Sequence, residues 1–372
     1  MSEKVIDNDL SEWKEVKLEE LLKFGNGKKR PESNGLIPIY GGNGILGYCG
    51  ENNYDNETII IGRVGAYCGS VYFEDKPIWI SDNALSAKPK KDYDAKFLYY
   101  FLKEINLNQH AGGSSHPLIT QTLLNSLEFK ICTCPVEQKA IAEVLSSLDD
   151  KIDLLHRQNK TLEQMVETLF RQWFVHRPEP VEGEEAKEDW EETTLGEIIK
   201  IGSGKGLKKE KFVDYGKYPI LGANGEIGRI NEYLFDDRLI FTGRVGTLGN
   251  VFRIENKKVW LSDNTLVIKP TKYYNFVYFI MKNAKLEQYN VGSTQPLIRQ
   301  SDIKEIKIQL TKKDIHLKFE NDTDLFFVKI QKNNNQICTL EKLRDTLLPK
   351  LMSGEVRMNH VETHGRASLR ER

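Results

Sequence analysis

The chain repeats itself once, and that duplication constrains its fold more than any other feature. Trp13, Leu18, Gly25, Gly27 and Lys28 recur 177 residues later as Trp190, Leu195, Gly202, Gly204 and Lys205. Pro38, Gly41, Asn43, Gly44 and Gly47 recur at an offset of 181 as Pro219, Gly222, Asn224, Gly225 and Gly228. Gly62-Arg63-Val64-Gly65 returns as Gly243-Arg244-Val245-Gly246. Trp79, Ser81-Asp82-Asn83 and Leu85 return as Trp260, Ser262-Asp263-Asn264 and Leu266. Pro117-Leu118-Ile119 matches Pro296-Leu297-Ile298, and Leu162-Glu163 with Thr168-Leu169 matches Leu340-Glu341 with Thr346-Leu347. Small loop insertions account for the drift in offset. A period this long marks a duplicated domain, not a solenoid unit.

Each copy divides in the same way. Short β-branched or aromatic runs punctuated by Gly, Asp and Asn predict strands over Thr58–Val64, Ser70–Phe73, Ile78–Ile80 and Ala84–Pro89. In the second copy the same runs are Leu239–Val245, Asn250–Ile254, Val259–Leu261 and Thr265–Pro270. A short apolar helix follows in each, Ala95–Ile105 and Asn275–Lys285. Each copy then ends in a long helical segment.

In the first long segment Leu145, Leu148, Ile152, Leu155, Asn159, Leu162, Val166, Leu169 and Trp173 are spaced alternately by three and four residues, a coiled-coil seam. The second seam, Phe326, Ile330, Asn333, Ile337, Leu340, Arg344, Leu347 and Leu351, is weaker. Pro135 suits a first helical turn and Pro178 a stop. A duplicated chain closed by a pseudo-two-fold pairs such helices antiparallel. A polar Asn159 is costly opposite Leu, so its partner should be Asn333, which makes paired residue numbers sum to 492. The core then comprises Leu148, Ile152, Leu155, Asn159, Leu162 and Val166 against Phe326, Ile330, Asn333, Ile337 and Leu340, with Leu148–Arg344 and Leu169–Thr323 as the poor pairs.

The expected fold is therefore α+β, with two globular mixed α/β domains separated by two long helices that form an antiparallel coiled coil, the whole an internal pseudo-two-fold repeat. Its parts are an N-terminal tail (1–12), domain one (13–134), long helix one (135–177), an acidic linker (178–189), domain two (190–312), long helix two (313–354) and a C-terminal tail (355–372). In Glu179–Glu192, eight acids stand against one lysine. The chain as a whole is −1, so everything outside this run is +6, mildly basic. That balance suits a nucleic-acid partner without demanding one. No apolar stretch reaches the roughly 18 residues of a membrane span, and Met1–Leu10 has no apolar signal region. Five cysteines without metal spacing read as reduced thiols, and the expected location is cytoplasmic.

No Walker loop, zinc spacing, nucleophile elbow or Asn/Asp-Pro-Pro-Tyr/Phe motif occurs, so no catalytic residue and no metal ligand is expected. Three repeated elements are candidates for ligand contact. The first is the basic Gly turn, with Lys28, Lys29 and Arg30 in copy one and Lys205, Lys208 and Lys209 in copy two. There Gly would let backbone approach phosphate while the cations neutralise it. The second is Gly-Arg-Val-Gly, with Arg63 and Arg244. An Arg fork can read guanine or grip phosphate, and the alternative is a structural pair with Asp82 or Asp263. The third is the polar run before Pro-Leu-Ile, Ser114, Ser115 and His116 against Ser293, Thr294 and Gln295, where the frame is kept and the side chains differ. Asn43 and Asn224 complete the set.

These residues resemble the specificity subunit of type I restriction–modification systems. The resemblance runs from Trp13 to Glu355. It is strongest in Gln138-Lys139-Ala140-Ile141-Ala142, in Leu145 through Phe174, and in Leu343 through Glu355. It implies two target-recognition domains, each reading one half of a split, asymmetric DNA site, with the helices as a ruler fixing the gap. It also implies two methyltransferase partners carrying S-adenosylmethionine, and a restriction/translocase partner using ATP and Mg. This chain itself would bind no cofactor and be non-catalytic, a DNA-binding part of a defence against foreign DNA. Two features depart from the pattern. Asp314-Ile315-His316-Leu317-Lys318 stands where a second Gln-Lys-Ala-Ile-Ala belongs, and the tail beyond Glu355 matches nothing in it. Rival readings are a recognition subunit of another modification or defence system (BREX-like or a type IIG partner), a coiled-coil scaffold with no DNA role, and an enzyme with an unrecognised site. The twice-occurring Gly-Lys turn and Arg loop argue against the pure scaffold.

Overall fold

The computed structural model describes residues 13–90, 92–113, 117–175, 190–246, 248–292, 296–359 and 368–371. The N-terminal tail 1–12 and the acidic linker 178–189 lie outside them. Contacts divide the chain into two units. Unit one runs to Leu155 and resumes at Asn335, and unit two is His156–Asn334.

Unit one contains β1 (Trp13–Lys17), α1 (Leu18–Leu21), β2 (Leu22–Asn26), β3 (Ile37–Gly41), β4 (Gly44–Cys49), β5 (Thr58–Gly62), β6 (Val71–Glu74), β7 (Trp79–Ile80), β8 (Ala84–Pro89), α2 (Ala95–Glu104), α3 (Gln121–Ser126) and β9 (Glu128–Cys132). These are followed by the start of α4 (Pro135–Phe170). Three small sheets result, ordered β2-β8-β5-β6, β4-β3-β7 and β1-β9. Every pairing is antiparallel except β3 with β7. All of β5 is buried, which is why Thr58-Ile59-Ile60-Ile61-Gly62 reads as a continuous apolar run and not as an alternation. α2 covers one face with Phe97, Leu98, Phe101 and Leu102, and Asp94 caps it by accepting from Phe97 N at 2.8 Å. Residues Leu145 and Ile141 of α4 enter the same core.

Unit two repeats this order. It holds the end of α4 and a π turn, Arg171–Val175, then β10 (Glu191–Thr194), β11 (Ile199–Ser203), β12 (Tyr218–Gly222), β13 (Gly225–Ile230), β14 (Leu239–Gly243), β15 (Val251–Ile254), β16 (Trp260–Leu261), β17 (Thr265–Pro270), α5 (Tyr274–Asn283), α6 (Gln300–Lys304) and β18 (Lys307–Leu310). The first part of α7 (Lys313–Ser353) completes it. The sheets are β11-β17-β14-β15, β13-β12-β16 and β10-β18, with β12–β16 the parallel pair. The strands β1–β4, β9, β10–β13 and β18, and the helices α1, α3 and α6, were not among the expected elements. Their glycines, prolines and isolated charges hide the alternation.

The antiparallel helix pairing appears within each unit. In unit one, Ile152 and Leu155 cluster with Ile337 and Leu340. Arg344, opposite Leu148, sends its guanidinium to Asp149 at 2.8 Å, and Asp149 also accepts from Tyr100 Oη at 2.7 Å. In unit two, Asn333 Nδ2 donates to Asn159 Oδ1 at 2.9 Å, and Asn159 Nδ2 donates to Asn334 Oδ1 at 2.7 Å. Trp173 lies 5.9 Å from Phe319, ring centre to ring centre. Buried Thr323 is accommodated because it donates to Phe319 O and accepts from Asn275 Nδ2.

The missing second signature has a local explanation. In unit one Gln138, the fourth residue of α4, accepts from Asp94 N and donates to Cys132 O. The fourth residue of α7 is His316, which accepts from Thr311 N and stacks on Tyr273 at 4.2 Å. The free N–H groups at the start of α5 go instead to Glu320, which accepts from Asn275 N and Phe276 N at 2.9 Å each. A different side chain on the same helix does the same work.

Part of the segment read as a C-terminal tail is structured. Val356–Asn359 forms β19 and pairs with β20 (Ser368–Glu371). Val356 and Met358 join the core of unit one, and Arg357 between them makes a two-pronged pair with Glu137, 2.7 Å in each contact. Burial alone would raise the Glu137 carboxyl, but the guanidinium outweighs it and holds the group below its usual range. The alternation Val-Arg-Met is a strand pattern too short to stand out beside a polar terminus.

Candidate nucleic-acid interface

The candidate elements converge because backbone hydrogen bonds tie them together. In unit one, Lys28 N donates to Ile80 O at 2.9 Å, Arg63 N to Asn83 O at 3.1 Å, and Ile119 N to Arg63 O at 2.9 Å. In unit two the same bonds are Lys205 N to Leu261 O at 2.8 Å, Arg244 N to Asn264 O at 2.8 Å, and Ile298 N to Arg244 O at 3.0 Å. The basic turn, the Arg loop, the Ser-Asp-Asn turn and Pro-Leu-Ile are therefore neighbours in each unit. Asn43 and Asn224 sit exposed in the two-residue turns of the β3–β4 and β12–β13 hairpins. Ser114, Ser115 and His116, and likewise Ser293, Thr294 and Gln295, lie outside the described residues.

The repeated tryptophans hold the basic turns. Trp79 Nε1 donates to Lys28 O at 3.4 Å and Trp260 Nε1 to Lys205 O at 2.9 Å. Lys28, Lys29, Arg30, Lys205, Lys208 and Lys209 are exposed. The expectation that the turn glycines bring backbone up to a ligand is not met at Gly27 and Gly204. A Cβ there would fall 1.8 Å from Ser81 O and 2.1 Å from Ser262 O, so these glycines admit the protein's own turn. The ligand-facing chemistry of the turn is left to its lysines.

Among the described residues, Arg63 and Arg244 form no ion pair with Asp82 or Asp263. Each is half-buried, and the Nε of each is buried without a hydrogen-bond partner. The same is true of Ser81 Oγ and Ser262 Oγ. Unsatisfied buried donors are uncommon and costly. Here both occur at the same two positions of both copies. The serines belong to the repeated Ser-Asp-Asn, and repetition was the available signal for them.

The described residues hold no group of three or more His, Cys, Asp or Glu side chains placed to bind a metal ion. Among the described residues, Cys49, Cys68, Cys132, Cys134 and Cys338 form no disulfide. No helix among the described residues is long and apolar enough to cross a membrane.

Two copies of one loop cluster, each carried by a mixed α/β domain with a share of a paired helix, define a duplicated recognition module. Residues 10–164 and 187–339 each match the type I restriction modification DNA specificity domain, and the chain belongs to this family of specificity subunits, with one target-recognition domain in each half. The chain is similar to the type I restriction enzyme MjaIX specificity subunit of Methanocaldococcus jannaschii, 28% identical over 354 residues, covering 84% of this chain and 81% of that one. A putative type I specificity subunit of Mycoplasma genitalium is 27% identical over 325 residues, covering 81% of this chain and 82% of that one. In fold it resembles the crystal structure of the type I S subunit from M. genitalium, with a TM-score of 0.67, 23% identity, and coverage of 95% of this chain and 99% of the other.

Proposed function

We propose that the two target-recognition domains read the two halves of a bipartite, asymmetric DNA site, and that the chain carries this specificity into a complex without catalysing a reaction itself. The observation that supports this most is the loop cluster built twice on one hydrogen-bonded frame, with the sequence differing between copies at exposed positions such as Lys29 against Gly206. A shared frame suits a shared task, and differing side chains suit unlike half-sites.

In this reading Lys28, Lys29, Arg30, Lys205, Lys208 and Lys209 contact phosphates, as do Arg63 and Arg244. The polar runs 114–116 and 293–295, which differ between the copies in sequence, are assigned to base contact, and Asn43 and Asn224 are further DNA-contact residues. The partners are double-stranded DNA, two methyltransferase subunits holding S-adenosylmethionine, and a restriction/translocase subunit using ATP and Mg. The setting is the cytoplasm. Reconstituting the chain with its methyltransferase subunits and selecting from a randomised duplex library tests the proposal. The expected result is one motif of two unlike half-sites with a fixed gap. Binding without sequence preference would overturn it.

A further inference from the structure

The hairpins β3–β4 and β12–β13 share one architecture and differ in what they expose. β4 and β13 are edge strands of their three-stranded sheets. Both hairpins slip register at the same place, between Ile39 and Tyr40 and between Ile220 and Leu221. The bulge leaves Leu46 and Ile227 as the extra residue, 42% and 52% exposed. A bulge re-aims the residues around it, and it falls at matching positions in the two units. Position 45 is Ile, 48% exposed, where the second copy has exposed Glu226. Position 48 is Tyr, 58% exposed, where the second copy has Arg229.

Each hairpin also lies against the basic segment of its own unit. Arg30 Nη2 donates to Leu46 O at 3.5 Å, and Val213 N, just beyond Lys208, Lys209 and Lys211, donates to Arg229 O at 2.9 Å. An exposed apolar edge strand is ordinarily blunted by charge, because it invites pairing with other chains. In unit one the apolar edge β4 lies beside a cation, in unit two the matching edge β13 carries Glu226 and Arg229, and each hairpin has an Asn in its turn. A two-stranded ribbon fits the major groove.

We infer that position 45 of unit one and the equivalent position 226 of unit two are base-reading positions in these ribbons. Ile45, with Leu46 and Tyr48 beside it, presents an apolar surface suited to a thymine methyl group. Glu226 presents a carboxylate acceptor suited to the exocyclic amino group of cytosine. Arg229 does not read a base. Its Nε donates to Gly216 O at 2.6 Å, its Nη2 to Lys217 O at 3.2 Å, and its Nη1 pairs with Glu226 Oε1 at 2.9 Å. Arg229 therefore acts as a positioning residue for the Glu226 carboxylate. Arg63 with Arg244, and Lys28 with Lys205, serve the backbone, since identical groups cannot by themselves distinguish two different half-sites.

This assignment rests on the DNA-reading function proposed above. The test exchanges the hairpins within the full methyltransferase complex, comparing wild type, I45E/Y48R and E226I/R229Y. The motif of each is read from methylated random-sequence DNA, and non-specific affinity is measured at low salt. The substituted positions in unit one are exposed, and the thermal unfolding of each complex checks folding. In I45E/Y48R, discrimination at one base pair of the first half-site should change by about 5- to 150-fold, with the second half-site unaltered. E226I/R229Y should do the reverse. Unaltered motifs in both folded variants would overturn the assignment while leaving DNA recognition intact. Loss of low-salt, non-specific binding in both would also overturn it, because the hairpins would then supply affinity and not readout. If wild type itself shows no motif, the proposed function fails instead.

Discussion

Replacing Asn159 by Ala should open the helix pair locally, and the size of the effect follows from its contacts. Asn159 is 8% exposed and Asn333 fully buried. The substitution removes the bond from Asn333 at 2.9 Å and the bond to Asn334 at 2.7 Å. It strands Asn333, whose Oδ1 already has no partner and whose Nδ2 keeps only Gln158 Oε1 at 3.5 Å. Stranding a buried amide costs about 1–3 kcal/mol, and with the lost bonds a total of about 2–3 kcal/mol is expected. Asn159→Leu with Asn333→Leu removes both amides at once. The paired leucines should be near neutral or stabilising, because the desolvation penalty disappears with the groups that bore it. Native-state hydrogen exchange of the amides flanking both positions reads the opening free energy of this stretch. The single variant should lose about 30- to 150-fold in protection, and the double variant should recover most of it. The recovered stability should be accompanied by weaker preference for one register, measurable by disulfide trapping of Leu155→Cys with Ile337→Cys against a one-heptad mismatch. If N159A changes protection by less than about threefold, or if the double variant costs the sum of both singles, the asparagine pair does not act as argued.

Arg63→Ala with Arg244→Ala should lower the salt dependence of DNA binding by about one phosphate contact per arginine without altering the motif; a relaxed base position would instead assign them to readout. Removing Ile152–Gln158 together with Asn334–Leu340 deletes one matched heptad and retains Asn159 opposite Asn333. About 10.5 Å of rise is lost, so the gap between half-sites should shorten by roughly three base pairs, and an unchanged gap in an active complex would count against the ruler. Burial lowers the His316 imidazole to about 4. Above its ordinary value near 6.5 it is neutral whether folded or unfolded. Between 6.5 and 4 only the unfolded chain takes the proton, so unit two should lose about 3 kcal/mol as pH falls through that window, and urea titrations should show the slope vanish in His316→Gln. Arg357→Ala leaves the Glu137 carboxylate buried and unpaired. It should cost about 3–5 kcal/mol at neutral pH, whereas Glu137→Gln with Arg357→Ala should cost less on thermal unfolding.

Much of this architecture is written in local pattern. The heptads predict both long helices, and their asparagines select the pairing, because an unpaired amide in an apolar seam carries a penalty that no slipped register avoids. The repeat shows two domains, since matched glycines and tryptophans along the chain imply matched turns. The repeat also singled out Arg63 and Arg244, yet sequence left open whether each pairs with an aspartate.

Other features come only from tertiary contact. Gly27 needs its small size because Ser81, more than fifty residues away, lies against it, and no nearby residue signals that. Glu320 takes over the helix start that Gln138 secures in the other unit, a substitution between positions that do not align. Val356 and Met358 look like the beginning of a polar terminus until the core of unit one receives them and Glu137 meets Arg357. Periodicity reports which face of an element is apolar. Which distant segment covers that face is settled by packing and by hydrogen bonds that must all be satisfied together, and those exist only once the chain has folded.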